Sequence, residues 1–215
     1  MIVTSKKGFT LVEAMVAIAI IMLSIVGPMY VANRAIVVAQ IASNQLIASY
    51  LAQEGIEYIR TVRDHDYLLA YQQDSTTATQ YGWDSFIGSG PGNCISGPGS
   101  CITGSVSVMM CGLLPGSAGQ QSYCTLDPLQ IMGTGSGDSI DPCGNGNGNT
   151  CSPLYLESDG VYTQSSSGNT LTPFTRTIQV TTVSSTEVRV TSVVAWSMYG
   201  QDYSESVIDH LTPWQ

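Results

Sequence analysis

Residues 6–32 read KKGFTLVEAMVAIAIIMLSIVGPMYVA. From Phe9 to Ala32 this gives 24 residues with a single charge, Glu13. A helix needs about 20 apolar residues to cross a bilayer, so the stretch is long enough. A cleavable secretory signal has a shorter apolar core, followed by a small-x-small site; here the core is longer and no such site follows. The residues before it, Met1 to Gly8, are short and polar and include Lys6 and Lys7. A plain signal anchor accounts for all of this except Glu13. A carboxylate near the centre of a membrane helix costs at least ~2.5 kcal/mol on insertion scales, and less near an end. No basic side chain lies within reach on the same helix, because both lysines precede the apolar run. Such a residue usually has a partner, and another subunit or an amine created by cleavage could supply one.

The run Lys6-Lys7-Gly8 followed by Phe9-Thr10-Leu11-Val12-Glu13 resembles the prepilin leader of type IV pilins and type II secretion pseudopilins. The resemblance implies that a membrane-embedded prepilin peptidase cuts after Gly8 and that the new amino-terminal Phe9 is N-methylated. It makes Glu13 the assembly residue, which neutralises the Phe9 amine of a neighbouring subunit. Gly27-Pro28 sits inside the apolar helix. Proline removes a backbone hydrogen bond and crowds the preceding turn, so the pair is either a tolerated membrane-helix proline or a helix break used in filament packing. The resemblance favours the break.

The helical pattern continues over residues 33–71. Ile47, Leu51, Tyr58 and Val62 fall on one face, and Ala48, Ala52 and Gly55 beside them are small enough for a sheet to approach closely. Arg60 and Asp64 are spaced as an i,i+4 ion pair. His65 lies in a charged cluster and reads as a surface residue. Leu51 to Asp64, LAQEGIEYIRTVRD, resembles the helix end of PilV-like or I-type minor pilins.

Residues 72–80 form a polar break, and Trp83 and Phe86 in the aromatic group Tyr81, Trp83, Phe86 read as anchors of a loop to the core. From Gly88 to Cys151 the chain holds 15 of its 22 glycines and all six cysteines. Glycine costs backbone entropy on folding, and the segment has few large apolar residues, so cross-links are the expected compensation. Six cysteines allow 15 pairings, among which sequence cannot choose. Sequential pairing is the expectation: Cys94–Cys101, Cys111–Cys124 and Cys143–Cys151. A zinc site is disfavoured by the lack of any C-x-x-C pair. Asp138, Asp141 and the GNGNGN run at 144–149 offer oxygen ligands for calcium, but the EF-hand spacing is absent and a plain loop is the expected reading. No metal site is assigned.

Residues 154–211 switch to a period of two. Ser158-Asp159-Gly160 between Leu154–Leu156 and Val161–Thr163 signals a hairpin. Phe174 to Val183 and Val188 to Trp196 alternate, Gly200-Gln201-Asp202 reads as a turn, and Tyr203 to Leu211 reads as a last strand. The expected buried face comprises Ile178, Val180, Val188, Val190, Val193 or Val194, Val207 and Ile208. Arg176 reads as a residue with a strand-edge salt-bridge or solubilising role. The order ending in Trp214 again resembles PilV-like minor pilins.

The whole chain has 215 residues and a formal net charge of −9, with 43% hydrophobic and only 11% charged residues. Seven scattered basic residues cannot form a nucleic-acid face. No catalytic motif and no cofactor motif is present, so an enzyme is not expected. The expectation is an α+β pilin fold: a long hydrophobic N-terminal helix on an antiparallel sheet of about four strands, with a Gly/Cys-rich insertion. The expected parts are a leader at 1–8, a helix at 9–72 with 9–32 as its membrane and assembly portion, an insertion at 73–153 and a sheet at 154–215. The function implied by the resemblance is a minor type IV pilin. It would sit in the bacterial inner membrane by one span and then join an extracellular filament with other pilin subunits. A pseudopilin of type II secretion or DNA uptake is the alternative within the family, and a monomeric membrane-anchored binding protein is the alternative outside it.

Overall fold

The computed structural model describes residues 8, 10–73, 75–87, 123–129, 140–143 and 151–213. The chain divides into two units, Met1–Asn44 and Gln45–Gln215. The first consists of the N-terminal part of helix α1, Leu11–Gln73. Its large side chains are exposed on every side, from Leu11, Met15, Ile18 and Ile21 to Met29, Val31 and Val38. An all-round apolar helix of this kind belongs in a membrane or a protein interior, and α1 is long and apolar enough to cross a membrane. The helix is unbroken at Pro28.

In the second unit the same helix becomes one-sided. Ala48, Leu51, Ala52, Gly55, Ile56, Ile59 and Val62 form a buried stripe at successive steps of one and three residues. Ile47 and Tyr58 flank the stripe and are half-buried. Gly55 lies where α1 comes closest to the sheet: a Cβ there would stand 2.5 Å from Ser192 Oγ and 2.8 Å from Ile178 Cδ1. A second helix, α2, Ala78–Phe86, replaces the expected loop and buries Trp83 and Phe86. Its Gly82 meets α1 closely, since a Cβ would lie 2.8 Å from the Tyr67 Cα. The Trp83 indole donates to the Ser185 carbonyl at 2.8 Å, which ties α2 to the chain at Ser185.

Among the described residues the sheet is antiparallel throughout and has seven strands rather than about four. They are β1 Cys124–Leu126, β2 Ile140–Pro142, β3 Pro153–Leu156, β4 Tyr162–Thr163, β5 Thr170–Ser184, β6 Glu187–Met198 and β7 Gln201–Leu211. β5 is the hub. One edge pairs with β6 from Phe174↔Trp196 to Ser184↔Glu187. The other edge takes β3 near its start and β1 at Ile178. β1 and β2 arise from the segment expected as an insertion, so that segment supplies part of the same sheet. The β3–β4 hairpin turns through Gly160 at φ +93°. β6 and β7 are joined by Tyr199-Gly200, both at positive φ; this is the two-residue hairpin loop whose twist matches its strands. β7 therefore begins at Gln201, and the turn lies one to two residues before its expected place.

Ile178, Val180, Val188, Val190 and Val194 are buried and Val207 is partly buried, whereas Ile208 points outward. The parity of β7, fixed by Ser192↔Val207, puts Ile208 on the solvent face. Ile56, Ile59 and Val62 of the helix stripe, Trp83 and Phe86 of α2, and Ile178, Val180, Val188 and Val190 of the sheet build one core cluster, and Ala48, Leu51, Ala52, Leu154, Phe174, Val194 and Trp196 build a second. Arg60 does not pair with Asp64: it binds Glu57 and Asp209, and Asp64 binds Arg63. The Asp209 contact is the stronger perturbation and raises the Arg60 pKa. His65 is half-buried and has a partner.

Candidate functional site

The N-terminal site starts from Thr10. Its hydroxyl accepts the Glu13 N–H at 3.3 Å, and its carbonyl accepts the Ala14 N–H at 3.2 Å. Thr10 is thus the cap of α1, and Thr10-x-x-Glu13 is the capping-box spacing. This local role is carried by the Thr-x-x-Glu spacing alone. Glu13 stands in the first helical turn, where the helix dipole favours a negative charge. Its carboxylate is exposed and has no hydrogen-bond or ion-pair partner among the described residues. Gly8 is exposed; Phe9 and the leader before Gly8 lie outside the described residues. Further along, Ser24 Oγ donates to the Ile21 carbonyl at 2.7 Å.

A second polar site lies inside the second unit, Gln45–Gln215, called the head from here on. Arg176 does form a salt bridge, to Glu54, but not at a strand edge: it lies on the inner face of the central strand β5 and is fully buried. Its guanidinium donates to Glu54 Oε2 at 2.5 Å, to the Leu51 carbonyl at 3.2 Å and to the Leu126 carbonyl at 2.9 Å. Burial pushes its pKa down, while Glu54 and then Asp127 push it back up. Asp127 accepts from Thr163 Oγ1 at 2.8 Å and from the Gln164 and Leu129 N–H groups at 3.3 and 3.1 Å. This network fastens helix α1, the end of β1 and strand β4 to one buried charge. Beside it, Ile47, Tyr50, Leu51, Glu54, Val161 and Tyr162 line an open groove of about 420 Å³.

The cysteines that can be placed lie together at β1 and β2. Cys143 and Cys151 form a disulfide with a Cα–Cα distance of 4.5 Å. Cys124, fully buried, is disulfide-bonded as well. Cys94, Cys101 and Cys111 lie outside the described residues, and with them the pairings Cys94–Cys101 and Cys111–Cys124. So do Asp138, the 144–149 run and the side chain of Asp141. Among the described residues no cluster of three or more His, Cys, Asp or Glu is placed to hold a metal ion.

A capped, exposed apolar helix with one carboxylate in its first turn, and an antiparallel sheet against the later part of that helix, are an α+β arrangement consistent with the pilin fold. Residues 4–27 match the family model of the prokaryotic N-terminal methylation motif. That motif is the hallmark of type IV pilin and pseudopilin precursors. It marks structural subunits that a peptidase processes and that assemble with other pilin subunits, not an enzyme family. The motif and the apolar helix fit inner-membrane anchoring. Neither a curated protein nor a solved structure matches the chain.

Proposed function

We propose that the chain is the precursor of a minor type IV pilin, a structural and adhesive subunit of an extracellular filament. A prepilin peptidase cuts after Gly8, Phe9 becomes the N-methylated amino terminus, and the apolar helix holds the subunit in the inner membrane until assembly. The leader at 1–8, the assembly helix, the disulfide-bearing 73–153 segment and the C-terminal strands are its working parts. The observation that carries the reading is Glu13: a carboxylate without a partner among the described residues, in the first turn of an apolar helix that opens with the methylation motif. The new Phe9 amine of a neighbouring subunit is the counter-charge it lacks. Two opposite charges at ~4 Å attract by about 4 kcal/mol at an effective dielectric of 20, before desolvation. That is enough to bias docking, though not to hold a filament. Glu13→Gln keeps the size and removes the charge. It is expected to insert and be cleaved like the wild type while entering filaments poorly, measured by immunoblot of sheared filaments against membranes. Wild-type incorporation of Glu13→Gln would remove Glu13 as an assembly contact.

A further inference from the structure

Of the five arginines, Arg60 is held by Glu57 and Asp209, Arg63 by Asp64 and Arg176 by Glu54. Arg34 and Arg189 have no ion-pair or hydrogen-bond partner among the described residues. They differ in surroundings. Arg189 lies on the outer face of the sheet, opposite His210. Arg34 stands on α1 among exposed apolar side chains, with Tyr30, Val31, Ile36 and Val38 all more than half exposed. Covering those side chains in an assembly desolvates the guanidinium with them, and a desolvated cation needs a counter-charge.

The groove beside Arg176 supplies one. Glu54 spends only Oε2 on Arg176; its Oε1 has no hydrogen bond among the described residues, and its side chain is 39% exposed. Two carboxylates, Glu54 and Asp127, act on the one buried guanidinium, so the cluster keeps a negative excess. Tyr50 and Tyr162 add ring faces to the groove, and Ile47, Leu51 and Val161 add apolar walls. A carboxylate among aromatic rings in an apolar cleft suits an organic cation with an aliphatic stem, as an arginine is. The exposed Leu46 and Tyr50 continue the apolar surface along α1 beside the groove.

We propose that this groove receives the Arg34 guanidinium of a second copy of the chain, so that copies of this subunit lie next to one another in the filament. The proposal rests on the filament reading above and adds a neighbour to it: a lone subunit at a tip does not satisfy it.

The test uses full-length chains in their native host. Copies bearing Arg34→Cys are co-expressed with copies bearing Tyr50→Cys, and oxidised filaments are run on non-reducing gels. Copies bearing Val16→Cys report helix contact in the assembly, and Arg34→Cys with Leu68→Cys reports chance collision. The expected result is a dimer from the Arg34→Cys and Tyr50→Cys mixture, well above the collision pair. If Val16→Cys cross-links and the mixture gives no more than the collision pair, the groove contact is wrong and the filament reading stands. If Val16→Cys gives no cross-link either, copies of this chain do not touch in the filament and the groove contact is wrong; the filament reading itself fails only if the wild-type chain is absent from the sheared filaments. Charge exchange provides a second readout. Arg34→Glu is expected to lower incorporation about tenfold, equivalent to ~1.4 kcal/mol, and Tyr50→Lys in the same chain to restore it. A double variant no better than Arg34→Glu overturns the contact.

Discussion

Removing Glu54 should harm the head more than removing Arg176, although the two form one ion pair. Glu54→Leu strands a guanidinium that is fully buried, whereas Arg176→Met strands a carboxylate that is 39% exposed and can recover water. Breaking a buried pair from one side costs about 3–5 kcal/mol; because Asp127 also acts on Arg176, the lower end, about 3 kcal/mol, applies to Glu54→Leu. Arg176→Met fills much of the same volume and leaves chiefly the buried Leu126 carbonyl without its donor, which costs about 1–2 kcal/mol. The double variant strands no charge and should resemble Arg176→Met, giving a coupling of about 3 kcal/mol. For a head of this size, 3 kcal/mol lowers the melting midpoint by roughly 6–12 °C. Thermal unfolding of the full-length chain in detergent, followed by near-UV circular dichroism, reads the difference. Additive losses, or a Glu54→Leu variant at least as stable as Arg176→Met, would refute the buried-charge argument.

Gly55→Val should destabilise the head by about 1–3 kcal/mol through overpacking against Ser192 and Ile178; a variant as stable as the wild type in the same melt would refute the close approach of α1 to the sheet. The Cys143–Cys151 bridge spans a separation of eight residues and should contribute roughly 2.5 kcal/mol in the chain-entropy model, so Cys143→Ser/Cys151→Ser should melt several degrees lower without losing helical signal at 222 nm. Burial raises the Tyr162 pKa, so the folded head retains that proton above the ordinary tyrosine range. The stability tied to it is fully present below about pH 10 and is lost as pH rises through the raised value. Tyr162→Phe should flatten part of the alkaline fall in melting midpoint, and an unchanged slope would count against it.

The stretch from Gly8 to Ala32 was legible because its chemistry is local: one acid in an apolar run needs no tertiary context to stand out. The β5 and β6 segments were legible through strict alternation. That same alternation also places Arg176 on the face of Phe174, Ile178 and Val180, so its burial was readable by parity; a general expectation that arginines face water displaced it. Val194 rather than Val193 faces inward for the same reason, since it sits opposite Arg176 across the β5–β6 ladder. Arg60 chose Asp209 because the fold brings together residues 149 apart in sequence, which no spacing rule along one helix can anticipate. β1 and β2 are three residues each, too short to show a period, and they join the sheet only because β5 offers them an edge. Helix α2 was hidden by the polar residues before it: its burial depends on Trp83 and Phe86 finding the core, not on a long amphipathic pattern.

The central claim is that this chain is a precursor cut to begin at Phe9. Intact-mass and N-terminal peptide mass spectrometry of the protein from its native membranes tests it most directly. The account predicts a mature chain of 207 residues without Met1 to Gly8, keeping five of its seven basic residues and all 16 acidic ones, with Phe9 carrying one methyl group. Gly8→Val should block the cut, because the leader of this class ends in a small residue. Native protein that still carries Met1 to Gly8, or that begins anywhere but Phe9, would contradict the account.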